Sequence, residues 1–443
     1  MDPEFDALFT RHRRDAVLLH RPYPPHTAPR TNSHLGGLPR LPAHHDWPRT
    51  REGRPLHFLA QIDCADLPFP TPLPDRGVLF FFGRDDAEQV WNFYDVSTDD
   101  CRVLYVLDAS AATDPRPVPA DLPPIGDEYP GPTWRDFLRE GEAGPNVHIQ
   151  WPVTLARIDS WPDSLPEAQP PAQDWRSSLL NLLRSPPPPT TWQEESALLE
   201  RYCDQLDERR AAAFTAATGE RSHQVPGPNQ DGEAARAIFF HAAQGPDAYP
   251  QHWAMIHYAA RALLHRPSRF SPTRDPKFLA RMIENAEGWL ARAAAVGLDA
   301  TVSPDDKTEF RACLEALRKP RYKQPLGYRA ENLIFASLTA TIRAWAGDPG
   351  RAARVPPHVY EALRFHFNGF EPYGLKSSQM LGHAPSAQES LSLDDPTICL
   401  LNLASEQAMG WMFGDVGNAS FWITPADLAR RDFTKVWATI EGH

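Results

Sequence analysis

Alternating apolar and polar side chains mark strands in the first third of the chain. Along residues 56–63 (LHFLAQID) every second residue is apolar, which gives a strand two distinct faces. Short apolar segments bounded by glycine or proline predict further strands at residues 78–82, 91–96, 103–107 and 148–158. Because no helical pattern is regularly interleaved, these strands are expected to form a largely antiparallel sheet.

From residue 191 to about residue 367 the apolar spacing changes to that of helices. Caps followed by proline predict helix starts at Asp275 and Ser303. A capping box predicts another start at Thr191, and glycines predict helix ends at Gly219 and Gly297. Two more helices are predicted at residues 253–264 and 334–345, and a closing helix is predicted from residue 424 through residue 437.

The strand pattern occurs twice, once near each end of the chain. Each copy has a glycine turn, then an apolar strand with one amide (Gln61 or Asn402), then an Asp-x-Gly turn that leads into an aromatic strand. The first copy comprises residues 33–37 (SHLGG), 56–63 (LHFLAQID) and 75–82 (DRGVLFFF). The second copy comprises residues 378–382 (SQMLG), 397–403 (TICLLNL) and 415–423 (DVGNASFWI). The repetition predicts two similar β-units that contact each other.

The predicted fold class is therefore α+β, a largely antiparallel β-body built from two similar β-units with a long helical insertion between them. Proline clusters at residues 117–132, 162–171 and 186–189 indicate loops or connectors. The predicted segments are an N-terminal helix or extension at 1–29, the first β-unit at 30–172, the helical insertion at 173–372, and the second β-unit with a C-terminal helix at 373–443, which packs with the first.

Composition narrows the class of protein. With 443 residues, the chain can bury a sizeable core. Its net charge of -12 argues against nucleic-acid and anionic-membrane surfaces and favours a basic partner. The chain has no apolar run of bilayer length, its first 19 residues lack the apolar core of a secretory signal, and its five cysteines are scattered singly. We therefore expect a cytoplasmic protein, whose oligomeric state the sequence leaves open.

Several ordered motifs give the chain a family resemblance. They are LGGLP at 35–39, DWP at 46–48, LAQID at 59–63, GVLFFF at 77–82, MLGH at 380–383 and GDVG at 414–417. Because of these motifs, the chain resembles the YwqG family, a bacterial domain of unknown function, over roughly residues 30–110 and 375–440. It departs from the family pattern at Asn402, Ala404 and Phe413. Some members of that family look like immunity proteins of bacterial toxin systems, so the resemblance implies such a role for this chain. No catalytic residues are agreed for the family, so the resemblance implies none here.

Five polar residues of the two copies are the candidate ligand-binding set. Gln61 and Asp63 share one strand face, and Asp75 and Asp415 stand just before glycines in turns. Together with Asn402 they would line a polar cleft between the β-units. The alternative is structural, with the amides pairing with backbone groups and the carboxylates bracing tight turns.

Metal and catalytic patterns are weak in this sequence. The densest set of potential metal ligands is His44, His45 and Asp46 with His57 and Asp63. Adjacent histidines rarely reach one ion, and the spacing fits neither a zincin helix nor a zinc finger, so no metal or other cofactor is predicted. There is no G-x-S-x-G elbow and no cysteine in a nucleophile context, so no catalytic residue is predicted and a non-enzymatic role is favoured.

Carboxylates crowd a hairpin-like stretch around Trp91. The candidate partner-binding residues are Asp85, Asp86, Trp91, Asp99 and Asp100, with a solvated loop as the alternative. The favoured function is a cytoplasmic protein-binding protein, such as an immunity protein that neutralises a basic toxin. The alternatives are a small-ligand-binding protein or enzyme with a polar cleft between the β-units, and an adaptor that acts through the helical region.

Overall fold

A computed structural model gives the conformation of most of the chain. It describes residues 3–22, 24–25, 31–86, 99–109, 114–126, 137–138, 143–163, 189–219, 249–317, 328–357, 359–360, 378–384, 396–406, 408–415 and 417–442. The predicted strand at 91–96 lies outside these residues, and so does Trp91.

The strands form two antiparallel sheets. In chain order they are β1 (Arg14–His20), β2 (His34–Leu35), β3 (His57–Asp63), β4 (Val78–Gly83), β5 (Cys101–Val106), β6 (Trp151–Pro152), β7 (Thr154–Ser160), β8 (Gln379–Leu381), β9 (Ile398–Ala404), β10 (Asn418–Ile423) and β11 (Trp437–Glu441). The first sheet has the order β6-β2-β3-β4-β5, and the second has the order β7-β1-β8-β9-β10-β11.

Most of the described helices lie between β7 and β8. In chain order the helices are α1 (Pro3–His12), α2 (Pro189–Thr218), α3 (Trp253–His265), α4 (Pro267–Phe270), α5 (Pro276–Val296), α6 (Pro304–Ala316), α7 (Tyr328–Trp345), α8 (Pro349–Ala352) and α9 (Pro425–Ala429). No helix in the described part of the chain is long and apolar enough to cross a bilayer.

Local chemistry explains where several of these helices begin and end. Asp275 accepts a hydrogen bond from the Lys277 N–H at the start of α5, and Ser303 accepts one from the Asp306 N–H at the start of α6. Gly219 follows the end of α2 and Gly297 follows the end of α5, both with positive φ. These predicted boundaries are confirmed, whereas α2 begins at Pro189 and not at the capping box of Thr191.

The two β-units share strand order and register. Gln61 of β3 pairs with Phe80 of β4, and Asn402 of β9 pairs with Ser420 of β10. The register then shifts at the same place in each unit, where Leu59 and Leu400 are skipped. The chain also turns alike at the ends of β2 and β8, where two successive residues have positive φ. They are Gly36 and Gly37 in the first unit, and Leu381, the last residue of β8, with Gly382 in the second. The predicted α+β fold with two similar β-units is confirmed.

The sheets pack against each other through equivalent residues. Phe81 of β4 and Phe421 of β10 meet edge to face, with ring centroids 5.3 Å apart. Both rings belong to one continuous apolar cluster that also includes Trp253 of α3 and Trp289 of α5. The helical insertion therefore packs onto the same core as the two sheets.

The prediction of a closing helix from residue 424 through residue 437 is wrong beyond Ala429. Thr424 caps α9 as expected, but Arg431 adopts φ 57° and interrupts the helix. After a short 3₁₀ turn at Phe433–Lys435, the chain extends and Trp437 pairs with Trp422 as part of β11. The predicted strand at 148–158 is likewise divided into β6 and β7, which belong to different sheets.

Candidate functional site

A cavity of about 560 Å³ lies where the first β-unit meets the helical insertion. This volume is typical of sites for small organic molecules. The described lining comes from the turn after β2, the segment before β6, helices α3 and α7, and the turn after β9. Its members include Gly37, Leu38, Val147, His148, Ile149, Gln150, Tyr258, Arg261, Ala340, Arg343, Ala344, Met409 and Gly410.

Two arginines bring positive charge to this otherwise largely apolar lining. Arg261 of α3 donates from Nε to the Phe137 carbonyl oxygen at 2.8 Å, and the Phe137 ring packs edge-on against Tyr258. Arg343 of α7 is buried, with 9% of its surface exposed. The described lining contains no Asp or Glu side chain. The cavity lining therefore combines two arginine side chains with largely apolar walls.

The glycine turn after β2 places the cavity wall against the first sheet. Gly36 donates its N–H to the Leu59 carbonyl at 2.8 Å, and Gly37 donates to the His148 carbonyl at 3.0 Å. A Cβ atom on Gly36 would lie 2.0 Å from the Ile149 carbonyl oxygen. The turn thus needs glycine for its positive φ and also for the close approach of the segment before β6.

His148 is held on both sides of its ring. Trp411 donates from Nε1 to His148 Nδ1 at 3.1 Å, so Nδ1 is the unprotonated nitrogen. On the other side, Nε2 lies 3.1 Å from Asp85 Oδ2, so the carboxylate faces this nitrogen. Because Nδ1 is occupied by the indole N–H, His148 is not available as a general base in this arrangement.

His57 of β3 is a second buried histidine, and it lies beside His148 and Asp85. His57 Nδ1 accepts from the Asp85 N–H at 3.2 Å, and Nε2 donates to the Pro123 carbonyl at 3.0 Å. Burial, followed by the nearby His148, lowers the pKa of His57 to about 4. His57 is therefore neutral and fixed in one tautomer near neutral pH.

The amides of the two copies lie inside separate sheets. Gln61 is fully buried, accepts from the Arg40 N–H, and donates to the Asn32 backbone and side-chain oxygens. Asn402 is also fully buried and accepts from the Ser420 hydroxyl, while its Nδ2 finds no hydrogen-bond partner among the described residues. Gln61 pairs with Phe80, and Asn402 pairs with Ser420. Each of these partners is followed in its strand by the phenylalanine, Phe81 or Phe421, that makes the contact between the sheets. The two amides therefore face away from the contact between the sheets.

The three predicted carboxylates are placed differently. Asp63 caps the short 3₁₀ helix at Cys64–Asp66, where it accepts from the Ala65 N–H. Asp75 and Asp415 are both exposed. Burial, with the carboxylates of Asp63 and Asp75 nearby, raises the pKa of the Cys64 thiol to about 12. A ligand-binding role for the five residues stays a prediction.

The predicted partner-binding carboxylates are largely paired within the protein. Asp85 and Asp86 are buried, with 2% and 5% of their surfaces exposed. Asp86 forms ion pairs with Arg54 at 2.8 Å and with Arg84 at 3.2 Å. Asp99 accepts from the Arg51 N–H, and Asp100 lies 3.8 Å from Arg84. Asp85 and Asp86 are thus not part of an exposed acidic face, whereas partner binding through the stretch as a whole stays a prediction.

Sequence reasoning did not select the residues that shape the cavity. Arg261 lies in α3, most of whose other residues are apolar. Arg343 stands between buried Ile342 and buried Trp345 near the end of α7. An arginine in an apolar helix segment was the available signal, because arginine is rarely buried without a specific role.

Comparison with known proteins identifies one family. Residues 33–173 and 359–441, about half of the chain, match the family described as "Domain of unknown function (DUF1963)". The two matched segments contain β2 to β7 and β8 to β11, and the region between them contains the helices from α2 to α8. No curated protein matches the chain.

Proposed function

The chain belongs to the family described as "Domain of unknown function (DUF1963)", and we propose that it binds a small organic anion with an apolar body. The observation that carries this proposal is the pair Arg261 and Arg343 in the lining of an otherwise largely apolar cavity of about 560 Å³. Guanidinium groups bind carboxylate and phosphate oxygens through paired N–H donors. The apolar walls fit an aliphatic or aromatic body.

Binding is favoured over covalent chemistry by the side chains present. The described lining offers no serine, threonine or cysteine as a nucleophile. Its histidine, His148, has one ring nitrogen engaged by Trp411 and the other facing Asp85. A site of this kind orients and retains a ligand, and its positive charge selects for anions.

Fluorescence titration with anilinonaphthalene sulfonate tests this proposal, because the probe joins an aromatic body to an anionic group. Dodecanoate should displace the probe, and dodecanol, which has the same chain without the charge, should displace it poorly. Arg343→Gln should weaken binding by about tenfold or more, since a hydrogen bond to a charged group contributes roughly 1.5–3 kcal/mol. Ala340→Phe should also weaken it by filling the cavity.

Arg281→Gln is the matched control, because Arg281 is an exposed arginine on the neighbouring helix α5. It should leave probe affinity unchanged. Equal displacement by dodecanoate and dodecanol would remove the anion preference. Unchanged affinity in both Arg343→Gln and Ala340→Phe, in folded protein, would place the probe elsewhere and refute the proposal.

Binding of a basic protein partner is the second candidate, and the net charge of -12 favours it. The resemblance to the YwqG family adds an immunity role against a bacterial toxin as the finer version of this candidate. Partners captured from the native host should then associate more slowly as salt increases, and Asp99→Asn with Asp100→Asn should slow association further. An association rate that neither salt nor these substitutions change would exclude electrostatic capture by this stretch.

A further inference from the structure

Three potential metal ligands meet on the surface of the first β-unit. One ligand atom from each of His44, His45 and Asp108 lies within 4.8 Å of the other two. His44 and Asp108 are exposed and His45 is half-buried. We propose that these three side chains form a binding site for a divalent late transition-metal ion of the zinc class.

The backbone brings the two adjacent histidines to the same side. His45 donates its N–H to the Pro42 carbonyl at 3.1 Å, which closes a turn, and Arg116 donates to the His45 carbonyl. As a result the two imidazole rings lie 4.4 Å apart, centroid to centroid, with 42° between their planes. Neighbouring side chains on an extended strand would point to opposite faces. The turn therefore removes the objection that adjacent histidines rarely reach one ion.

The third ligand comes from a distant part of the sequence. Asp108 follows β5, whose register with β4 is fixed from Cys101 to Val106. Two imidazoles and one carboxylate suit zinc and related ions and leave a coordination position open for water. Zinc–nitrogen bonds of about 2.0–2.1 Å require the ligand atoms to draw somewhat closer, which rotation of the exposed His44 and Asp108 side chains allows.

Charged neighbours act on a cation at this site in opposite directions. Asp108 favours a cation, and the nearby Arg116 opposes one. The set differs from the group apparent in the sequence, because His57 is buried with both ring nitrogens bonded and Asp63 caps a 3₁₀ helix.

Isothermal titration of the chelator-washed full chain with zinc chloride tests the site. We expect one zinc ion per chain and no comparable heat with magnesium chloride, because magnesium prefers oxygen ligands. Mutating a residue that hydrogen-bonds a metal ligand typically weakens metal binding by about 10- to 100-fold. Removing two ligands themselves, in His44→Gln with His45→Gln, should therefore weaken zinc binding by at least about 100-fold. Asp108→Asn should cost at least about tenfold.

Asp46→Asn is the matched control, since Asp46 is exposed, adjoins His45 and lies outside the ligand set. It removes the same charge and should change zinc affinity less than about threefold, the effect of a nearby surface charge. An equal loss in Asp46→Asn and Asp108→Asn would reduce the effect to general charge and overturn the site. Zinc binding that survives the double histidine substitution, or no stoichiometric binding by the wild-type chain, would also overturn it.

Discussion

Three buried histidines share one electrostatic state. His34, His57 and His383 each have a pKa lowered to about 4, with burial as the largest cause. Each ring nonetheless hydrogen-bonds a carbonyl oxygen, namely that of Gly36, Pro123 or His12. The fold thus holds neutral imidazoles as donors, and protonation at both nitrogens is disfavoured.

These histidines predict a loss of stability in mild acid. Their folded pKa of about 4 lies below the unfolded value of 6.5, so between these values the unfolded chain binds more protons. Their contribution is complete above pH 6.5 and is lost as pH falls toward 4. Chemical denaturation at a series of pH values should show the free energy of unfolding falling by up to about 1.4 kcal/mol per pH unit for each group.

A single substitution isolates one of the three contributions. His57→Gln removes one titrating group, and the slope between pH 6.5 and 4 should become shallower by up to about 1.4 kcal/mol per pH unit, whatever the variant's stability at pH 7. Val296→Gln, at an exposed residue that does not titrate, is the control and should keep the wild-type slope. Identical slopes in wild type and His57→Gln would show that His57 titrates normally in the folded state.

At the scale of elements, the glycine turn after β2 joins the first sheet to the cavity wall. Gly36 has φ 56°, and the Ile149 carbonyl occupies the space that a side chain would need. Gly53 also has a positive φ, 87°, but apart from Gly53 and its two chain neighbours no described residue has an atom within 4 Å of the position that a Cβ atom would take there. Comparing Gly36 with Gly53 therefore separates the cost of the left-handed backbone from the cost of a clash with neighbouring atoms.

Gly36→Ala should therefore destabilise the protein far more than Gly53→Ala. The left-handed conformation alone costs an alanine roughly 1–2 kcal/mol, which is the whole effect expected at residue 53. At residue 36 the clash with backbone adds to it, and the total should exceed about 3 kcal/mol. Thermal and denaturant unfolding of both variants measure the difference, and equal losses would mean that the segment before β6 moves aside freely.

At the scale of the whole molecule, the Phe81–Phe421 contact joins the two β-units at equivalent positions. A double-mutant cycle with Phe81→Leu and Phe421→Leu should give a coupling energy of roughly 0.5–1.5 kcal/mol, the range for aromatic pairs. The same cycle with Phe81→Leu and Phe9→Leu should be additive to within about 0.5 kcal/mol, because Phe9 belongs to a separate cluster. Equal coupling in both cycles would argue against specific contact between the units.

The sequence by itself determined the features that depend on neighbours along the chain. Period-two patterning located β3, a short apolar segment after a glycine located β4, polar caps with proline located the starts of α5 and α6, and repetition of the pattern predicted two similar β-units. It missed β1, whose charged first residues Arg14 and Asp15 obscure a buried strand between β7 and β8. Local chemistry sets these elements, which is why local patterns predict them.

Only the tertiary structure decided which side chains meet. The cavity joins Gly37, His148, Arg261 and Arg343, which are far apart in sequence and lie on four different segments. Packing buried Asp85 against His148 and brought Asp108 to the histidine pair. Such meetings depend on the docking of sheets and helices through a shared apolar core, and hydrophobic burial has no direction that a local pattern could encode.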